Sequence, residues 1–303
     1  MRRGWRLAAC GLLGGVLVWF LADAGYVRSA AGEALSLCAR SVVPALFPFL
    51  VVSTLLVSLG FGRSSRLAGL MTPLFRQPGA AGTALVLGLV GGYPIGAQTA
   101  ADLYRQGRLT ADEARRLLAF CNNSNPVFLI SVLGVGVFGC VRAGVWLWLI
   151  HVLSALLVGL MFRGSGRAPA REAPPAAVPP PASFASAFVG AVRSAAGGMV
   201  SICGFVTFFY VLAKPLSALP PPWGALGVGL LELFSLTPLL TPGHLGFVLA
   251  AACSGWGGLS VLAQTAAVLE GTGLPLSPCL RGKALQGLLS AALAAALAGH
   301  VLG

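Results

Sequence analysis

Two glycine-rich interruptions of apolar sequence carry the clearest chemical signal in this chain: Gly91-Gly92-Tyr93-Pro94 and Gly255-Trp256-Gly257-Gly258. Gly and Pro at membrane depth unwind a helix and free backbone groups that a ligand, water or other protein must then satisfy. The half-helix that restarts after such a break presents N–H donors and a partial positive charge, which suits an anionic solute. Corresponding breaks in two halves of a membrane protein point to a transporter's binding site. Close helix packing through Gly is the structural alternative. Gln98 and Gln264 follow the breaks by one to two turns, and an amide that both donates and accepts can read a carboxylate or a ring nitrogen. Each could instead make an interhelical hydrogen bond, worth about 0.6 kcal/mol in a membrane.

Asn122-Asn123-Ser124-Asn125-Pro126 is a dense polar knot directly before an apolar run. One Asn or Ser suffices to cap a helix near a Pro. Four neutral polar side chains exceed that need, so the knot is a second candidate for a polar solute or ion. Glu232 lies in an apolar run and needs a partner or water there. It is a candidate proton or cation coupling site, with a structural ion pair to Arg193 or Lys214 as the alternative. His151 and His244 stand alone, without partners at metal spacing, and read as structural. Glu33, Arg40 and Arg193 sit on amphipathic stretches where interfacial placement is expected. There is no HExxH, GxSxG, Walker A or dinucleotide fingerprint, so no enzyme, cofactor or metal is expected.

The elements that must position these residues are dictated by composition. Hydrophobic residues make up 57% of the 303 positions and charged residues 9%, against roughly 25% charged in soluble domains. The apolar runs are long and continuous rather than alternating, which selects membrane helices over a barrel. The net charge of +12 rests on Arg, since all but Lys214 and Lys283 of the 20 basic residues are Arg, most of them between apolar runs. That pattern orients a membrane protein and does not predict nucleic-acid binding. The seven Cys are scattered without a CxxC and read as small apolar residues.

Along the chain, a first span from Trp5 to Ala22 comes after Arg2 and Arg3, and residues 1–27 read as an uncleaved anchor. An amphipathic stretch from Arg28 to Val43 precedes a Pro-marked span, Pro44 to Leu59. Ala80 to Tyr104 is apolar but broken at the first Gly-Gly. Thr110 and Glu113 have the spacing of a capping box on a water-exposed helix, and a further span covers Ala143 to Phe162. Residues 163–183 hold six Pro and three Arg and read as a cytoplasmic linker.

The half of the chain after the linker repeats the half before it. Ser29-Ala30-Ala31-Gly32 recurs as Ser194-Ala195-Ala196-Gly197, Thr72-Pro73-Leu74 as Thr237-Pro238-Leu239, and Ala97-Gln98-Thr99-Ala100-Ala101 as Ala263-Gln264-Thr265-Ala266-Ala267. Repeat one is read as 28–142, a connecting span as 143–162, and repeat two as 184–303. Arg63, Arg66, Arg76, Arg105, Arg108, Arg115 and Arg116 mark the loops of copy one, whereas the matching stretches of copy two hold Arg281 and Lys283. By the positive-inside rule those loops lie on opposite sides, so the copies are expected to be inverted.

On Val43 to Phe49, Gly91 to Ala97, Asp102-Leu103-Tyr104, Leu118 to Pro126 and Ser254 to Gly258, the chain resembles the sporulation integral membrane proteins of the YlbJ type, within the nucleoside-recognition (Gate) domain superfamily. Asn125 departs from the pattern, where a Gly is expected. The resemblance implies a multi-pass protein of an endospore former, in the mother-cell membrane around the forespore. It also implies a part in spore heat resistance and movement of dipicolinate toward the forespore. Nucleoside binding is not implied for this branch.

The expectation is an all-α polytopic membrane protein with two inverted repeats and re-entrant or broken helices. It would move a small organic anion across the bilayer at a site between paired breaks that face a cavity. The other readings are a non-transporting spore-envelope assembly or gating partner, with the breaks packed shut, and a nucleoside-type permease. Homo-oligomerisation stays open.

Overall fold

The computed structural model describes residues 2–59, 65–164 and 183–303. Its helices in chain order are α1 (Arg2–Ala22), α2 (Ala24–Leu37), α3 (Val43–Ser58), α4 (Ser65–Phe75), α5 (Ala81–Gly91), α6 (Ile95–Arg105), α7 (Ala111–Leu118), α8 (Val141–Met161), α9 (Phe184–Ala213), α10 (Trp223–Leu231), α11 (His244–Trp256), α12 (Gly258–Leu269) and α13 (Ser277–Leu302). Wider π-turns occupy Cys38–Val42 and Phe128–Val135, and 3₁₀ turns Lys214–Ala218 and Phe234–Leu239. The described residues hold no strand.

Five stretches are long and apolar enough to cross a bilayer: Ala24–Leu56, Val141–Met161, Phe184–Ala218, His244–Leu269 and Ser277–Leu302. Large apolar side chains stand outward on α1, α3 and α9, among them Leu13, Leu17, Val52, Phe184 and Val200. A soluble monomer rarely tolerates such an extent of apolar surface, whereas lipid accepts it. The fold is therefore that of an all-α, multi-pass membrane protein. The apolar part of α1, Leu7–Ala22, is shorter than these five.

Local sequence explains the element boundaries. Thr110 and Glu113 form the expected capping box, with the Thr110 hydroxyl accepting from the Glu113 N–H at 3.3 Å and the Glu113 carboxylate from the Thr110 N–H at 2.8 Å. Ser183 caps α9 and Asp23 caps α2. Most of the Pro-rich linker, 165–182, lies outside the described residues, as do residues 60–64 with Arg63.

The stretch from Arg28 to Val43 and the span from Pro44 onward do not separate as expected. The π-turn carries α2 into α3 without a stop, and the run is helical from Ala24 to Ser58. Glu33 on this run lies 2.5 Å from Lys214 and accepts from the Tyr210 hydroxyl at 2.9 Å, tying α2 to the end of α9.

The two breaks are built differently. At the first, α5 and α6 pack against each other, and the turn after α7 wedges its Cys121 carbonyl between them. A Cβ on Gly88 or Gly96 would lie 1.7 or 1.9 Å from that oxygen, so only Gly admits the wedge. At the second, α11 runs against α13 and α8, while α12 turns away to pack on α9 and α6. Gly92, Gly257 and Gly258 have φ of +86°, +86° and +89°, a region costly for residues with a Cβ. Gly88 and Gly96 thus serve close packing, and Gly92 and Gly257 supply the backbone turn of the breaks.

Candidate functional site

The two breaks meet. Tyr93, buried at the first, donates its hydroxyl to the carbonyl of Ser254, one turn before the second, at 2.9 Å. The same hydroxyl accepts from Lys283 Nζ at 2.9 Å. Lys283 is 0% exposed, and its ammonium also donates to the Asn122 carbonyl at 3.2 Å and to Gln286 Oε1 at 2.8 Å. Three N–H groups thus meet three neutral oxygens, and no carboxylate lies within ion-pair reach among the described residues.

The web continues into the polar knot and α8. Gln286 Nε2 donates to Asn123 Oδ1 at 3.0 Å and to the His151 carbonyl at 3.2 Å. His151 Nε2 accepts the Ser124 backbone N–H at 3.1 Å, which leaves the ring proton of a neutral imidazole on Nδ1. Asn122 Nδ2 donates to Thr265 Oγ1 on α12 at 2.9 Å, and Ser154 and Ser290 pair at 2.8 Å. Three buried atoms of this web, Asn122 Oδ1, His151 Nδ1 and Ser254 Oγ, have no protein partner. Buried polar atoms are otherwise nearly always satisfied, so these are capacity for a ligand or water.

The knot caps a helix, and its side chains also bond across to other helices. Asn125 Oδ1 accepts from the Phe128 N–H at 2.8 Å, starting the helical run after Pro126, and Asn123 donates to the Phe120 carbonyl. Asn122 and Asn123 also reach across to α12 and α13. Asn125 stands against Gly92: a Cβ there would meet Asn125 Cβ at 3.0 Å.

Other expected residues lie apart from one another. Gln98 is exposed and donates to both Asp102 carboxylate oxygens at 3.1 Å, on a cleft of about 240 Å³ lined also by Thr54, Pro94, Thr99, Ser194 and Ile202. Gln264 is buried, bonded to Ser260, and faces a small cavity with Tyr93, Ser124 and Asn125. The two glutamines, matched in sequence, therefore occupy unlike surroundings. Trp256 is half-buried and its indole N–H donates to the Leu230 carbonyl. The inner cavity measures about 20 Å³, room for one water at most. Between the breaks Tyr93 makes direct contact with both Ser254 and Lys283.

Glu232 forms no ion pair with Arg193 or Lys214. Its carboxylate accepts from the Phe234 and Ser235 N–H groups and the Ser235 hydroxyl, capping the 3₁₀ turn that comes after it. Lys283, read from the sequence as a loop charge, is inside α13. It was legible as more than that: Lys283, Gln286 and Ser290 recur on one face of a helix, and an ionisable residue in such a span is functional by default. Among the described residues no group of three His, Cys, Asp or Glu is placed to hold a metal.

A polytopic helical protein whose broken helices converge on a buried, uncharged-partner lysine belongs to the class of membrane proteins with an intramembrane polar centre. The chain is similar to the sporulation integral membrane protein YlbJ of Bacillus subtilis (strain 168), 29% identical over 301 residues that cover 85% of this chain and 74% of that protein. This likeness supports the YlbJ-type sporulation membrane family for the chain. No family model matches it. No solved structure matches it either.

Proposed function

We propose that this sporulation membrane protein is a transporter for a small organic anion, with dipicolinate moved toward the forespore as its solute. The observation that carries the reading is the Tyr93–Ser254 hydrogen bond, which joins one helix break to the other over a buried polar centre. Neither α6 nor α12 has a side-chain cap on its first turn, so both keep N–H groups suited to an anion. In this reading the two halves are inverted copies in the outer forespore membrane, with a Gate-like organisation. The charge asymmetry supports inversion more strongly once Lys283 is removed from the loops. The conformation described is the occluded one, and opening separates Tyr93 from Ser254.

The small inner cavity favours a second reading, a non-transporting assembly or gating partner whose breaks stay packed shut. Proteoliposome uptake of dipicolinate decides between them, with a nucleoside and a small aliphatic dicarboxylate as competitors. Saturable uptake supports the transporter. No uptake of any of these solutes by folded protein supports the partner.

A further inference from the structure

We infer that Lys283 is the carboxylate-binding residue of this centre, and that the centre holds one negative charge, so that a monocarboxylate crosses alone and a dicarboxylate crosses with one proton. The inference rests on the transporter reading and specifies its solute chemistry. Lys283 is the one buried Lys or Arg among the described residues. Its three oxygens, from Tyr93, Asn122 and Gln286, are neutral stand-ins at the positions an anion's oxygens would take. Two of them, the Tyr93 hydroxyl and the Gln286 amide, belong to side chains able to turn aside. A cation buried without an anion is costly, and a single carboxylate removes that cost.

A second negative charge would find no second cationic side chain, and the first turns of α6 and α12 offer N–H donors and only partial charge. The titratable groups around Lys283 are Tyr93 at the break, Cys121 in the turn after α7, His151 on α8 and Cys279 on α13; none is a carboxylate. Glu232 is turned into its own 3₁₀ turn and is not the counter-ion. Three buried atoms without partners, Asn122 Oδ1, His151 Nδ1 and Ser254 Oγ, lie in the same web. His151 Nδ1–H and the Ser254 hydroxyl are donors that a protonated or ring-bearing acid can use. The neutral amides that make up the rest of the site add hydrogen bonds and no charge. A dianion therefore reaches neutrality with Lys283 by carrying one proton, taken up from water on the side of binding and released on the other.

The test uses the full chain in proteoliposomes, with pyridine-2,6-dicarboxylate, pyridine-2-carboxylate and pyridine as probes and an internal pH dye. Wild type should take up both carboxylates, with one proton per dicarboxylate and none per monocarboxylate, and pyridine should not compete. Lys283→Met should lower uptake of both acids at least tenfold, and Lys283→Arg should lose less. Glu232→Gln should leave the proton count at one; a count of zero with uptake preserved would put the proton on Glu232 and overturn that half of the inference. Uptake by Lys283→Met within twofold of wild type overturns the carboxylate site while the transporter reading stands. No uptake of either acid by folded wild type defeats the transporter reading itself. Should Lys283→Met fail to fold, wild-type melting in detergent is the second readout. It should rise with either acid and not with pyridine, and no rise with either overturns the inference.

Discussion

Tyr93 and Lys283 hold each other across most of the chain. The lysine Nζ donates to the tyrosine hydroxyl at 2.9 Å and lies 4.9 Å from the ring centroid. One residue lies in the first helix break and the other in the second turn of the last helix, so the pair ties the two halves of the chain together. The tyrosine face also offers the ammonium a weak cation–π contact.

Tyr93→Phe keeps the ring and removes the hydroxyl. Lys283 then lacks one acceptor and the Ser254 carbonyl lacks its donor, which should cost about 1–3 kcal/mol. The expected result is a lower melting temperature in detergent than wild type. An unchanged melting temperature would mean that the hydroxyl does not hold the breaks together.

Gly257→Ala places a Cβ on a residue with φ of +86° and 3.2 Å from the Tyr93 hydroxyl. The conformation alone should cost roughly 1–2 kcal/mol. Gly197, inside α9 with nothing within 4 Å of its Cβ position, is the control: Gly197→Ala should be stabilising by about 0.5–1 kcal/mol. Thermal melts of the two variants should shift in opposite directions.

Gly96→Ala directs a Cβ to 1.9 Å from the Cys121 carbonyl oxygen, where backbone and not a flexible side chain must yield. The loss should reach or exceed the roughly 1–3 kcal/mol usual for overpacking. Size-exclusion chromatography of detergent extracts should show most of the variant aggregated. A monodisperse, normally melting Gly96→Ala would show that the turn after α7 is not wedged there.

Gln98→Ala and Gln264→Ala should differ, although the sequence makes them equivalent. Gln98 is exposed and bonded to Asp102, so its loss should stay within about 0.5 kcal/mol in stability. Gln264 is buried beside Tyr93 and Asn125, and its removal should lower dipicolinate uptake well below that of Gln98→Ala. Equal loss in both variants would restore the symmetric site.

Much of this protein was legible in its residues. Composition required a helical membrane protein, because so few charged side chains leave water no surface to meet. The Gly-Gly segments marked both breaks, since left-handed backbone and close approach are conditions that Gly alone meets easily. Thr110 and Glu113 announced a helix start through purely local bonds. Lys283 was misread because a charge near a helix start looks like a loop charge until the neighbouring helices are known. Glu232 was given distant partners, whereas its own next turn supplied the donors.

The amino-acid sequence by itself determined the class, the breaks and the recurrence of one motif set in two halves. These are set by hydropathy, steric freedom at Gly and the local chemistry of caps, all of which act over a few residues. Only the tertiary structure decided that Tyr93, Asn122, Ser254, Lys283 and Gln286 form one centre, that Gln98 and Gln264 part ways, and that the breaks close on each other. Those outcomes depend on which helices cross at which depth. That is fixed by packing between segments far apart in the chain, and no local pattern encodes it.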